Sequence, residues 1–135
     1  VVVVDASIVV RLLQNRRGDG PLRDRLRRER FVHAPTLIDA EVASAIRGLL
    51  ITSKLTIRIT LERAEQMLAD YADLPIARHP MQPLQAHVVA LRNNLTGYDA
   101  FYVALAATLS LPLLTDDAKF ARAPGLPAAI ETWPA

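Results

Sequence analysis

Two unbroken apolar runs, each ending on aspartate, constrain this chain more than any other feature. They are Val1-Val2-Val3-Val4-Asp5 at the start and Leu113-Leu114-Thr115-Asp116-Asp117 near the end. A strand with no polar alternation is buried on both faces, which is the condition of a parallel sheet covered by helices. Open sheets of that kind place their sites outside the carboxyl ends of the strands, where both runs deliver acids. If the two strands are neighbours, the carboxylates meet. Like charges raise each other's pKa, so a cluster of this sort is kept for a cation or a proton relay.

The rest of the chain alternates in the same sense. Strands are expected over residues 1–5, 31–34, 74–78 and 112–115, with an edge strand over 129–132. Helices are expected from a Ser7 cap through about Gln14, over 22–30 after a break at Gly18, Gly20 and Pro21, and from Pro35 and Thr36 to about Ile51. Further helices are expected over 60–72, 82–92 and 98–109, with a short one from Asp117 to near Pro124. Strands separated by helices imply an α/β fold of three layers, α/β/α, around a central parallel sheet of four to five strands. The 135 residues are expected to form one domain, 1–135.

Several classes of function fall away. No stretch approaches the ~20 consecutive apolar residues needed to span a bilayer, and Val1 to Val4 is too short for the core of a signal peptide. With no cysteine, disulfides, thiolate catalysis and cysteine-ligated zinc are excluded, and a cytoplasmic location is expected. There is no GxSxG elbow, no GxxxxGK[ST] phosphate loop and no GxGxxG after the first strand. His33, His79 and His87 stand apart in sequence and form no HxxxH or HExxH pair, so they are expected to be structural or exposed.

Charge is concentrated in one segment. Between Asn15 and Arg30, seven arginines (Arg16, Arg17, Arg23, Arg25, Arg27, Arg28 and Arg30) stand against three acids, leaving +4. The planar guanidinium suits phosphate oxygens, so this segment reads either as a nucleic-acid contact or as a solvated, partner-binding face.

Most of the remaining acids have a local explanation. Thr36 with Asp39, and Thr96 with Asp99, have capping-box spacing, and Asp116 and Asp117 fall in a first turn where the helix dipole favours negative charge. Glu41 has none. It lies beyond the first turn, among Leu37, Ile38, Ser44 and Ala45, with no lysine or arginine within a turn of it. A buried carboxylate needs a partner, here either a cation shared with other acids or an arginine from elsewhere in the chain.

Four segments taken in order carry a family resemblance. Val3-Val4-Asp5-Ala6-Ser7, Pro35-Thr36-Leu37 leading to Glu41, Tyr98-Asp99-Ala100-Phe101-Tyr102-Val103-Ala104-Leu105-Ala106, and Leu114-Thr115-Asp116-Asp117 resemble the PIN-domain ribonucleases, and within them the VapC toxins of toxin–antitoxin pairs. The resemblance spans the chain and implies a PIN-like fold. It assigns Asp5, Glu41, Asp99 and Asp117 to an acidic metal site, with Ser7 and Thr115 as supporting hydroxyls and Asp116 as a secondary acid. An all-oxygen site suits magnesium or manganese.

The activity so implied is endoribonuclease hydrolysis of RNA to 5′-phosphate and 3′-hydroxyl ends, with Arg16, Arg17, Arg23 and Arg27 holding flanking phosphates. The implied partners are a VapB-type antitoxin and a second copy in a homodimer, for which Ile46, Leu49, Leu50 and Ile51 would serve as surface or as core. Two other readings share the site: a degenerate PIN domain kept as a protein-binding module, and a metal-dependent DNA nuclease.

Overall fold

A computed structural model describes residues 1–133. Five strands form one all-parallel sheet: β1 (Val2–Val4), β2 (Val32–Pro35), β3 (Ile76–His79), β4 (Leu113–Thr115) and β5 (Ile130–Thr132), in the order β3-β2-β1-β4-β5. The two runs that end on aspartate are neighbours. Val3 pairs with Leu113 and Val4 with Leu114, so Asp5 leaves the sheet level with Thr115, one residue before Asp116. From β1 the chain first builds outward to β2 and β3 and later returns to place β4 on the other side, which makes the β1/β4 boundary the point where strand order reverses. Crevices at such points are where open sheets bind ligands.

Seven helices flank the sheet: α1 (Ala6–Gln14), α2 (Gly20–Arg27), α3 (Leu37–Ile51), α4 (Leu61–Ala72), α5 (Gln85–Ala90), α6 (Gly97–Leu109) and α7 (Ala118–Arg122). α6 crosses β1, β2 and β4, with α5 against it, while α1, α3 and α4 pack on one another. Val2, Val3, Val4, Leu113 and Leu114 are all fully buried, as strands covered on both faces must be. α6 presents an unbroken buried stretch from Tyr102 to Ala106, whose small residues let it lie close on the sheet. No helix among the described residues is long and apolar enough to cross a membrane.

Local details depart from the sequence reading in five places. Asp5 caps α1 by accepting the Ile8 N–H at 3.2 Å, in place of Ser7, whose hydroxyl turns back onto Asp5. Gly20 and Pro21 open α2 where a break was expected, because proline at the first helical turn has no N–H to leave unpaired. Thr36 makes no side-chain cap and Asp39 joins no capping box. Asp39 is drawn to Arg78 and to the Tyr71 hydroxyl, 2.6 Å away, and this pairing holds its carboxyl below the usual range. The 82–92 helix divides into a 3-10 turn, Gln82–Leu84, and α5, and β3 starts at Ile76.

Candidate active site

Four elements deliver acids to the carboxyl edge of the sheet. Asp5 ends β1, Asp116 and Asp117 follow β4, Glu41 stands in the second turn of α3, and Asp99 lies in the first turn of α6. The five carboxylates line one cavity of about 420 Å3, together with Ser7 and Tyr102.

Asp5 is the buried centre, only 5% exposed. Its Oδ1 accepts the Ser7 hydroxyl at 2.5 Å as well as the Ile8 amide, and its Oδ2 accepts the Thr115 hydroxyl at 2.5 Å. Each hydroxyl in turn accepts a backbone N–H from the end of β4: Asp116 donates to Ser7 at 3.3 Å and Asp117 to Thr115 at 3.0 Å. Ser7 and Thr115 therefore clamp the Asp5 carboxylate to the start of the acidic turn. Burial pushes the Asp5 carboxyl up from 3.8 to about 6, against the hydrogen bonds that lower it, and the charge of Asp116 adds to the rise.

Among the described residues no lysine or arginine pairs with Glu41. The Tyr102 hydroxyl of α6 donates to its Oε1. Tyr102 is 2% exposed, and burial, with Glu41 beside it, raises its phenol well above the usual range and keeps it a proton donor. Sequence reasoning did not single this residue out. The available signal was its position three residues after Asp99, one turn along the same helix face.

Asp99 and Asp117 share a cation that the chain itself supplies. Lys119 Nζ lies 2.7 Å from Asp99 Oδ2 and 3.2 Å from Asp117 Oδ2, and the hydrogen bond to Asp99 is the main reason the Lys119 amine is held above its ordinary range. Asp99 also accepts the Thr96 hydroxyl at 2.7 Å, a side-chain bond in place of the expected backbone cap. Asp117 caps α7 through the Lys119 N–H at 3.0 Å.

The acids expected from sequence therefore share a cavity. Among the described residues, however, no three acids or histidines stand within reach of one ion. Asp5, Glu41, Asp99 and Asp117 are each satisfied separately by a hydroxyl, an amide or the Lys119 ammonium. The set still suits a hard divalent cation, because every donor is oxygen, the central carboxylate is buried with a raised pKa, and an ammonium is already drawn between two of the acids.

Three of the seven arginines in the arginine-rich segment are paired with acids. Arg16 pairs with Asp19, Arg27 with Asp24, and Arg25 with both Glu29 and Glu131, while Arg23 donates to the Arg16 carbonyl at 2.8 Å. Arg17 has no acidic partner among the described residues. Of the four arginines expected to meet phosphate, only Arg16 borders the acids, in a cavity of about 500 Å3 that also reaches Glu41 and Asp116. Arg23 and Arg27 line a separate apolar cavity with residues of α1. His33 and His79, distant in sequence, meet across β2 and β3 with Nδ1 and Nε2 2.9 Å apart, away from the acids.

Residues 2–126 match the PIN domain family. The chain is 40% identical to Ribonuclease VapC1 of Mycobacterium tuberculosis over 96% of its own length and 95% of that protein's. It is 35% identical to Ribonuclease VapC12 of the same organism, over 96% of this chain and 97% of the relative. Its fold superposes on a toxin–antitoxin complex from Klebsiella pneumoniae with a TM-score of 0.69, at 20% identity and with both chains fully covered. By sequence and by fold, this chain belongs to the PIN-domain family and, within it, to the VapC group.

Proposed function

We propose that this protein is a magnesium- or manganese-dependent endoribonuclease, acting in the cytoplasm as the toxin of a toxin–antitoxin pair. The observation that carries the reading is the set of five carboxylates on one cavity at the β1/β4 edge, with Asp5 buried at its centre. The relatives named as ribonucleases support RNA as substrate, and the Klebsiella toxin–antitoxin complex supports an antitoxin as partner, which the VapC relatives make one of the VapB type.

Asp5, Glu41 and Asp99 would hold the ion, with Asp116 or Asp117 completing the set. A hard divalent ion supplies polarisation of the scissile phosphate and a water acidic enough to attack it. The chain's own residues prepare that chemistry. Ser7 and Thr115 fix both oxygens of Asp5, and Tyr102 aims Glu41. In the net reaction a water oxygen bonds to phosphorus, the P–O3′ bond breaks, and one water proton ends on O3′, leaving a 5′-phosphate and a 3′-hydroxyl.

A homodimer would use the apolar surface around the end of α3. Ile46 is core, Leu49 and Leu50 pack partly against the core, and Ile51, Leu55, Ile57 and Leu61 are exposed. The test of the whole reading is RNA cleavage in magnesium, manganese and EDTA, comparing the parent with Asp5→Asn and Glu41→Gln. Cleavage should require the metal and be lost in both variants. Cutting that survives EDTA or both substitutions would overturn the reading, and a binding module without activity would show no cleavage under any condition.

A further inference from the structure

We infer that the cavity on the outer side of Asp99, lined by Arg92, Asn94, Lys119 and Arg122, is a subsite for a backbone phosphate of single-stranded RNA beside the bond to be cut. The inference rests on the ribonuclease reading of the acidic cavity. The two cavities share a wall, since Asp99 lines both and its partner Lys119 lines the outer one. The outer one has a volume of about 560 Å3.

A site of five carboxylates repels a polyphosphate strand, so a strand laid across it needs cations on its flanks. The segment richest in arginine does not supply them there: Arg16, Arg25 and Arg27 are engaged by acids, and Arg17, Arg23, Arg28 and Arg30 line neither the acidic cavity nor the one beside it. Arg92 and Arg122 differ. Both are exposed, and among the described residues neither has a carboxylate within salt-bridge distance. The one acid in their cavity, Asp99, is already paired with Lys119. The result is a local surplus of positive charge next to the acids.

The wall is also held in place. Asn94 donates from Nδ2 to the Pro124 carbonyl at 2.6 Å, tying the loop before α6 to the segment after α7, so the two arginines are presented from anchored backbone. Arg16, across the acidic cavity on the Glu41 side, marks the opposite flank. A strand laid over the acids would reach uncommitted cations on the Arg92 and Arg122 side, Arg16 on the other flank being held by Asp19.

The test compares Arg92→Gln/Arg122→Gln with Arg28→Gln/Arg30→Gln, which removes the same charge near the start of β2, at the sheet edge away from the acids. Binding of a fluorescent 15-nucleotide single-stranded RNA is followed by anisotropy in EDTA, so that the reading does not depend on metal, and cleavage is followed in manganese. For Arg92→Gln/Arg122→Gln, the RNA Kd and the KM should rise about tenfold with kcat within about twofold of the parent. The slope of log K against log salt should become shallower by about 0.7 to 1.4, the change for one or two phosphate contacts on a single strand.

The control pair should move neither quantity by more than about twofold. Equal effects in both pairs would reduce the result to net charge and overturn the subsite. So would unchanged RNA binding in Arg92→Gln/Arg122→Gln, whether or not that variant loses inhibition by an antitoxin, a loss that would assign the cavity to a protein partner. Failure of the parent to cleave in any metal, with the anisotropy difference intact, would sink the nuclease reading and leave an RNA-binding cavity.

Discussion

The Lys119 ammonium stands 2.7 Å from the Asp99 carboxylate and bridges it to Asp117, so the acidic cavity carries its own counter-ion. The repulsion that the sequence implies among four acids is therefore partly relieved within the chain. Lys119→Met should lower the melting temperature in EDTA. The loss should be small, on the order of 0–1 kcal/mol, because the ammonium is 47% exposed. Manganese should stabilise this variant more than the parent, since metal replaces a missing cation in one and competes with a present one in the other. Equal manganese-induced shifts in thermal melts of the two proteins would contradict this role.

Tyr102 holds Glu41 from inside the core. Tyr102→Phe keeps the ring and removes only the hydroxyl, so packing should persist while Glu41 loses its donor. A hydrogen bond to a charged group contributes about 1.5–3 kcal/mol, and the stability loss should fall at or below that range. The larger effect should be on turnover, with kcat down at least tenfold and RNA affinity in EDTA unchanged. A variant with parental kcat would show that Glu41 is oriented without it.

Asp5 imposes a pH dependence on the metal-free fold. Its folded pKa of about 6 lies above the ordinary 3.8. Between those values the unfolded chain has lost the proton and the folded one keeps it, so stability falls as pH rises through the window. The cost is fully present above about pH 6 and corresponds to about 3 kcal/mol. Asp5→Asn, which retains a good capping residue, should raise the EDTA melting temperature at pH 7.5 and do much less at pH 4. Melts that shift equally at both pH values would contradict the assignment of the cost to this carboxylate.

Much of the scaffold was legible because its signals are local and redundant. Continuous apolar runs marked β1 and β4, Pro35 and Thr36 marked the start of α3, and the mostly apolar stretch after Gly97 marked α6. The convergence of Asp5, Glu41, Asp99 and the final aspartates on one edge followed from strand order. What was hidden depended on neighbours far along the chain or on equal local choices. Asp5 and Ser7 are both good caps two residues apart, and only the Thr115 hydroxyl on β4 shows which is used. Asp39 looked like a capping residue until Arg78 and Tyr71 came within reach of it. Tyr102 is a core residue in an apolar stretch with nothing local to mark its hydroxyl, and Lys119 sits on a five-residue helix too short to leave a periodic trace.

A buried ion pair beside the Glu41 cavity ties α1 to the turn before α2. Arg11 binds Asp19 at 2.9 Å and the Trp133 carbonyl, with both charged side chains buried, and this pairing holds the Asp19 carboxyl below its usual range. Asp19→Ala would strand the guanidinium in the interior and should cost about 3–5 kcal/mol. Denaturant unfolding measures it, and a loss under 1 kcal/mol would mean that water reaches Arg11 readily.

The central claim is that the acidic cavity takes a divalent ion in order to cut RNA. It is tested most directly by titrating manganese into the parent and Asp99→Asn, reading ion binding by calorimetry and cleavage of a labelled single-stranded RNA in the same buffer. Parent cleavage should rise along its binding isotherm, and Asp99→Asn should need at least tenfold more manganese for either signal. Cleavage that precedes metal binding, or an Asp99→Asn curve that overlays the parent's, would contradict the account.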